Sequence, residues 1–214
     1  MINVCLEIGA KRVFASALDW PGWSRAARDE EGALQALFDY RSRYRAVVAG
    51  RRLGFVAPKD ASVLRVVERT PGDATTDFGA PGRIAKADRR RTTERDVRRL
   101  QSLLIACWEA FDEAAGTAKG RTLRTGARGG GRSLAAIIRH VEEADAGYLV
   151  RIGGKADRGA PLREQILEAL TVAPRMGMPP PGPRGGRRWP VRYHVRRSAW
   201  HALDHAWEIG DRLT

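Results

Sequence analysis

Tyr193-His194-Val195-Arg196-Arg197-Ser198-Ala199-Trp200-His201-Ala202-Leu203-Asp204-His205-Ala206-Trp207-Glu208-Ile209-Gly210-Asp211-Arg212 reads as one amphipathic helix with two messages. Trp200, Leu203 and Trp207, flanked by Ala199 and Ala206, recur at helical spacing and form an apolar stripe. His201 and His205 stand four residues apart, so both imidazoles leave the same side of the helix. A step of about 100° per residue brings His194 and Glu208 to that side as well. The chain has four histidines, and three of them fall on this flank. Neutral imidazole is the commonest metal ligand, and an i,i+4 pair is a natural two-point chelate. The same spacing also suits a solvated flank, with the tryptophan stripe alone facing the core.

Working back from that helix, Met176-Gly177-Met178-Pro179-Pro180-Pro181-Gly182-Pro183-Arg184-Gly185-Gly186-Arg187-Arg188 excludes regular helix or central strand. It reads as a long basic connection. Pro161-Leu162-Arg163-Glu164 opens a short helix to about Val172, with proline in a first-turn position. Before it, Ser133 caps a helix to about Ile152 whose apolar residues are Leu134, Ile137, Ile138, Val141, Ala144, Tyr148 and Leu149. The fourth histidine, His140, lies beside that stripe. Alone it would read as a packing residue; with the pair it is a candidate third ligand.

The loop entering this helix is rich in glycine and arginine and lacks the order of a P-loop. Arg128, Gly129, Gly130 and Arg132 would suit a carboxylate or phosphate at a helix N-terminus. A flexible connector with solvated arginines accounts for the same residues. Thr93-Glu94 starts a long helix to about Ala115, with Leu100, Leu103, Leu104, Cys107 and Phe111 as its buried stripe. Cys107 belongs to that stripe and reads as a small core residue.

The first 70 residues read differently. Residues 2–8 and 12–18 alternate as strands do, with Gly9-Ala10-Lys11 as the turn. Pro21-Gly22 marks a tight turn, and Asp29-Glu30-Glu31 opens a helix that stops near Gly50. Phe55-Val56-Ala57 and residues 62–67 look like two further strands. Residues 71–92 read as a linker, with turn chemistry at Thr70-Pro71-Gly72-Asp73 and a solvated basic run at Arg89-Arg90-Arg91. The fold class is therefore α+β: a small α+β module over 1–70, a linker over 71–92, and a four-helix bundle with one extended crossover over 93–214.

Composition bounds the function. A hydrophobic fraction of 43% fits a globular protein, and no apolar run approaches bilayer length. The N-terminus lacks a secretion-signal pattern, so the chain is expected to be cytoplasmic. Two distant cysteines indicate neither a disulfide framework nor a zinc-thiolate site. The net charge of +13 suggests a polyanion or a small anionic ligand, although no nucleic-acid-binding motif accompanies it.

Two resemblances follow. Phe14-Ala15-Ser16-Ala17-Leu18-Asp19-Trp20-Pro21-Gly22-Trp23, followed by Asp29-Glu30-Glu31-Gly32-Ala33-Leu34, resembles the HicB-like antitoxin module. Trp23 stands where that family often has cysteine, and no catalytic residue carries over. Ile137-Ile138-Arg139-His140-Val141-Glu142-Glu143-Ala144-Asp145 and Trp200-His201-Ala202-Leu203-Asp204-His205, set in four helices, resemble the DinB-like superfamily. Its relatives include YfiT-like metal-dependent hydrolases, bacillithiol transferases and mycothiol-dependent maleylpyruvate isomerases; typical members lack the N-terminal module.

This second resemblance implies one divalent ion, zinc or nickel, held by His140, His201 and His205. Three protein ligands leave a position open, as in catalytic rather than structural zinc sites. Glu208, one turn beyond His205, would be a fourth ligand or orient an imidazole. Asp204 and Glu143 are further candidates for that second role, and His194 is expected at the surface. The implied activity is thiol transfer or hydrolysis on a small anionic or thiol-containing substrate, with a low-molecular-weight thiol of the mycothiol or bacillithiol type as co-substrate. The alternative is a non-enzymatic basic protein that engages nucleic acid or a protein partner through its N-terminal module. A homodimer built on bundle helices fits either reading.

Overall fold

Alternating apolar positions pair β1 (Ile2–Ile8) and β2 (Val13–Ala17) as an antiparallel hairpin. The hairpin closes where the Gly9 N–H donates to the Arg12 carbonyl at 2.9 Å. This computed structural model describes residues 1–125, 131–182 and 185–214. After the Pro21–Gly22 turn comes β3 (Ser24–Ala27), antiparallel to β2 and absent from the sequence reading. Its Ser-Arg-Ala-Ala has no β-branched or aromatic residue, so it gives no strand signal. Its neighbour holds it: the Ser16 and Ser24 hydroxyls meet at 2.7 Å. Gly22 has φ of 94°, and a Cβ there would lie 2.8 Å from Leu203 Cδ1 and 2.9 Å from Cys107 Sγ. Glycine thus lets the turn seat directly on two helices of the bundle.

The helix expected from Asp29 to Gly50 is two. In α1 (Glu30–Asp39), the Asp29 side chain caps by accepting from the Gly32 N–H at 2.7 Å. The break falls at Tyr40, whose ring packs 4.9 Å from that of Trp207, and α2 (Arg41–Val48) follows. The strand expected at 55–57 does not form. Phe55 instead joins an aromatic cluster with Trp20, Trp23 and Tyr44. A 3-10 turn at Ala61–Val63 leads into β4 (Leu64–Pro71), later than the expected strand at 62–67. This strand runs parallel to β1, giving the sheet order β3-β2-β1-β4.

Residues 71–92 hold more than turns. They carry α3 (Ala74–Phe78) and a 3-10 turn at Lys86–Arg89, and they pack against both halves of the chain. The buried Glu7 carboxylate accepts from the Thr76 hydroxyl at 2.5 Å and from the Gly82 and Arg83 N–H groups, each at 2.9 Å. Glu68 accepts from the Lys86 N–H at 2.9 Å. The basic run at Arg89, Arg90 and Arg91 is exposed.

Four helices follow among the described residues. Thr93 and Asp96 cap α4 (Glu94–Thr117) reciprocally, and Ser133 caps α5 (Leu134–Arg151). The set is completed by α6 (Leu162–Val172) and α7 (Val191–Arg212). The last helix packs on both α4 and α5, while α6 closes against those same two. The sheet covers α7 from another side. Phe14 meets Trp200 edge-on at 5.9 Å, and Arg25 pairs with Asp204 at 2.5 Å. One buried cluster runs from Val4 and Leu6 in the sheet to Leu203 and Ile209 in α7. No helix among the described residues is long and apolar enough to cross a membrane.

Candidate metal centre

The apolar stripe of α5 sinks Ile137, Val141 and Leu149 into the core. His140, one turn from Ile137, is left half-buried at its edge, facing α7. From α7, His201 and His205 face it one turn apart, at 6% and 7% exposure. One ligand atom from each of the three histidines lies within 4.8 Å of the others. His140 Nε2 and His201 Nε2 are 3.1 Å apart, and the three rings stand nearly edge to face, with centroids 4.7 to 5.1 Å apart.

Burial decides the charge state. It lowers His140 below its ordinary pKa, with the Arg132 charge next in effect. His201 lies well below its ordinary value through burial, then through His205 and Arg197. Both rings are therefore neutral at pH 7 and offer lone pairs. Beside them, His205 Nδ1 donates to Glu208 Oε2 at 2.8 Å, so in the neutral ring Nε2 is the nitrogen that carries the lone pair. That hydrogen bond, followed by those from Arg212, holds the Glu208 carboxylate below its ordinary pKa. Arg212 Nη1 reaches Glu208 Oε1 at 2.6 Å, and its other nitrogens donate to the Arg124 carbonyl at 2.8 Å and the Arg132 carbonyl at 2.9 Å.

The arrangement fits a divalent ion. Zinc–nitrogen bonds of about 2.0–2.1 Å in a tetrahedral site put nitrogen atoms about 3.3 Å apart. The His140–His201 pair is already close to that spacing. Two facing imidazole nitrogens otherwise need a proton between them. Three histidines close together that could hold a metal ion are thus a property of this fold.

The fate of the other candidates is mixed. Glu208 sits beside His205, whose ring donates to its carboxylate at 2.8 Å. Asp204 turns away to Arg25, and Glu143 is exposed and faces Arg139 at 3.9 Å. His194 corrects the sequence reading: it is fully buried, and burial lowers its pKa to about 3. It lies near the helix start, but there its ring packs 6.2 Å from that of Trp189, which in turn lies 5.0 Å from Tyr148. In the glycine loop, Arg128, Gly129 and Gly130 lie outside the described residues, while Arg132 is present and exposed. Cys107 is fully buried, with its thiol pKa pushed up by desolvation, and burial pushes Cys5 up to about 11. Neither is a nucleophile at neutral pH.

Three neighbours escaped the sequence reading. Tyr148, two turns from His140, holds its ring 6.0 Å from that of His201. Arg212 follows Glu208 by four residues, and Arg197 precedes His201 by four. Helical spacing alone marked all three. Comparison with protein-family models, with curated proteins and with solved structures found no match to this chain.

Proposed function

We propose that the chain is a metal-dependent enzyme, similar to the DinB-like proteins, that catalyses thiol transfer or hydrolysis. The observation that carries this reading is the convergence of His140, His201 and His205 from two packed helices, with Glu208 orienting one ring. Zinc or nickel fits the all-imidazole donor set. When bound, such an ion acts as a Lewis acid and makes a water or thiol nucleophilic at neutral pH.

The chain's own residues do the rest. His140 and His201, kept neutral by burial, present lone pairs without first losing a proton. Glu208 fixes the tautomer and ring angle of His205, and Arg212 fixes Glu208. His201 and His205 are buried on α7, and the half-buried His140 is the most exposed member of the cluster. A low-molecular-weight thiol of the mycothiol or bacillithiol type suits the co-substrate role. The HicB-like likeness of the first 70 residues adds no reacting group.

Elemental analysis of tag-free protein tests the reading. Wild type is expected to hold close to one equivalent of zinc, nickel or a similar ion, and His205→Ala to lose it. Absence of metal from both samples after reconstitution would sink the proposal.

A further inference from the structure

We infer that Arg197 forms an anion subsite beside the three histidines, and that the substrate taken there carries a carboxylate. This deepens the metal-dependent reading and rests on it. Four arginines lie on α7: Arg192, Arg196, Arg197 and Arg212. Three have a carboxylate of their own. Arg192 pairs with Asp96 at 3.1 Å, Arg196 with Asp88 at 2.5 Å and Arg212 with Glu208 at 2.6 Å. Among the described residues, Arg197 has none. Its one protein hydrogen bond runs from Nη1 to the Pro81 carbonyl at 3.2 Å.

Arg197 stands one turn before His201 on the same flank of the helix. Its Cζ lies 4.7 Å from the Trp200 ring and 5.8 Å from the Tyr148 ring, and Tyr148 in turn lies 6.0 Å from His201. The guanidinium is half-buried in this aromatic wall, which strips part of its hydration and leaves most of its donors free. A planar carboxylate meets that fork with two parallel hydrogen bonds, while the aromatic rings suit a short organic chain.

The surrounding field has the same sign. Arg132 is near enough to bias His140 and His201. The nearby acids are committed elsewhere: Glu208 is held by His205 and Arg212, and Glu143 is exposed beside Arg139. The substrate is thus a small molecule whose reacting group meets the histidine cluster and whose carboxylate meets Arg197.

The test uses tag-free protein loaded with cobalt(II), whose absorption reports thiolate binding. It is titrated with mercaptoacetate, 3-mercaptopropionate, 4-mercaptobutyrate and uncharged 2-mercaptoethanol. At least one acid is expected to bind about tenfold or more tightly than 2-mercaptoethanol, the scale of a charge-assisted hydrogen bond. Arg197→Gln should load cobalt normally and lose that preference. Arg197→Lys, a milder change, should reduce it while keeping the charge. Equal binding of acids and 2-mercaptoethanol by cobalt-loaded wild type overturns this inference alone, as does an undiminished preference in both variants. Wild type that fails to take up cobalt overturns the metal reading itself, and this one with it.

Discussion

Arg196 and His201 stand on the same helix, five residues apart, and both are almost wholly buried. Their surroundings differ. Arg196 donates to Asp88 at 3.2 and 2.5 Å and to the Arg83 carbonyl at 3.0 Å. Asp88 also accepts from the Ala85 N–H at 2.8 Å. His201 instead meets another imidazole nitrogen, and its own Nδ1 has no partner. The Arg196 cluster is complete and reads as structure, whereas the two facing imidazole nitrogens at His140 and His201 are spaced to take an ion between them. The difference separates two uses of buried polarity on one helix: one fastens the 71–92 segment, and the other is the proposed centre.

Breaking the complete cluster should have the larger effect. Asp88→Ala strands a buried guanidinium and is expected to remove about 3–5 kcal/mol of stability. Urea unfolding measures it, and replacing both partners with apolar residues should cost much less than the single change.

Asp145 sharpens the comparison, because it is a buried acid that forms no ion pair among the described residues. It is 3% exposed, and the Arg163 guanidinium nearby is already held by Asp112. Burial raises its pKa from 3.8 to about 7. On raising the pH, the unfolded carboxyl ionises first while the folded one keeps its proton. Stability therefore falls between those two values and the deficit levels off above the folded one. The linkage amounts to at most about 4 kcal/mol. Asp145→Asn should abolish that slope; urea midpoints taken from pH 4 to 8 that keep the same slope in the variant would refute the assignment.

The smallest effect belongs to the outer part of the proposed centre. Glu208→Gln leaves the three histidines in place and should weaken metal affinity by about 10–100-fold. Competition with a chelator measures it. Unchanged affinity would reduce Glu208 to an anchor for Arg212 alone.

Much of the bundle is legible in the sequence because its signals are local. Ser133 and Thr93 announce helix starts, and the spacing of His201 and His205 fixes a shared flank without any tertiary information. What escapes the sequence depends on distant partners. Residues 24–27 form a strand only because β2 lies beside them. The 71–92 segment has the turn residues of a linker, yet Glu7, Glu68 and Arg196 bind it into the fold. His194 looks like a surface residue until the fold buries it beside Trp189.

The 71–92 segment is gripped largely by its main chain. Glu7 and Glu68 take its N–H groups, while Tyr193, Arg196 and Arg197 donate to its carbonyls at Gly82, Arg83 and Pro81. Instructions for its path are therefore written mostly outside it. Its exposed side chains are free to drift over evolutionary time or to be exchanged by an engineer, so long as the residues that hold it stay fixed.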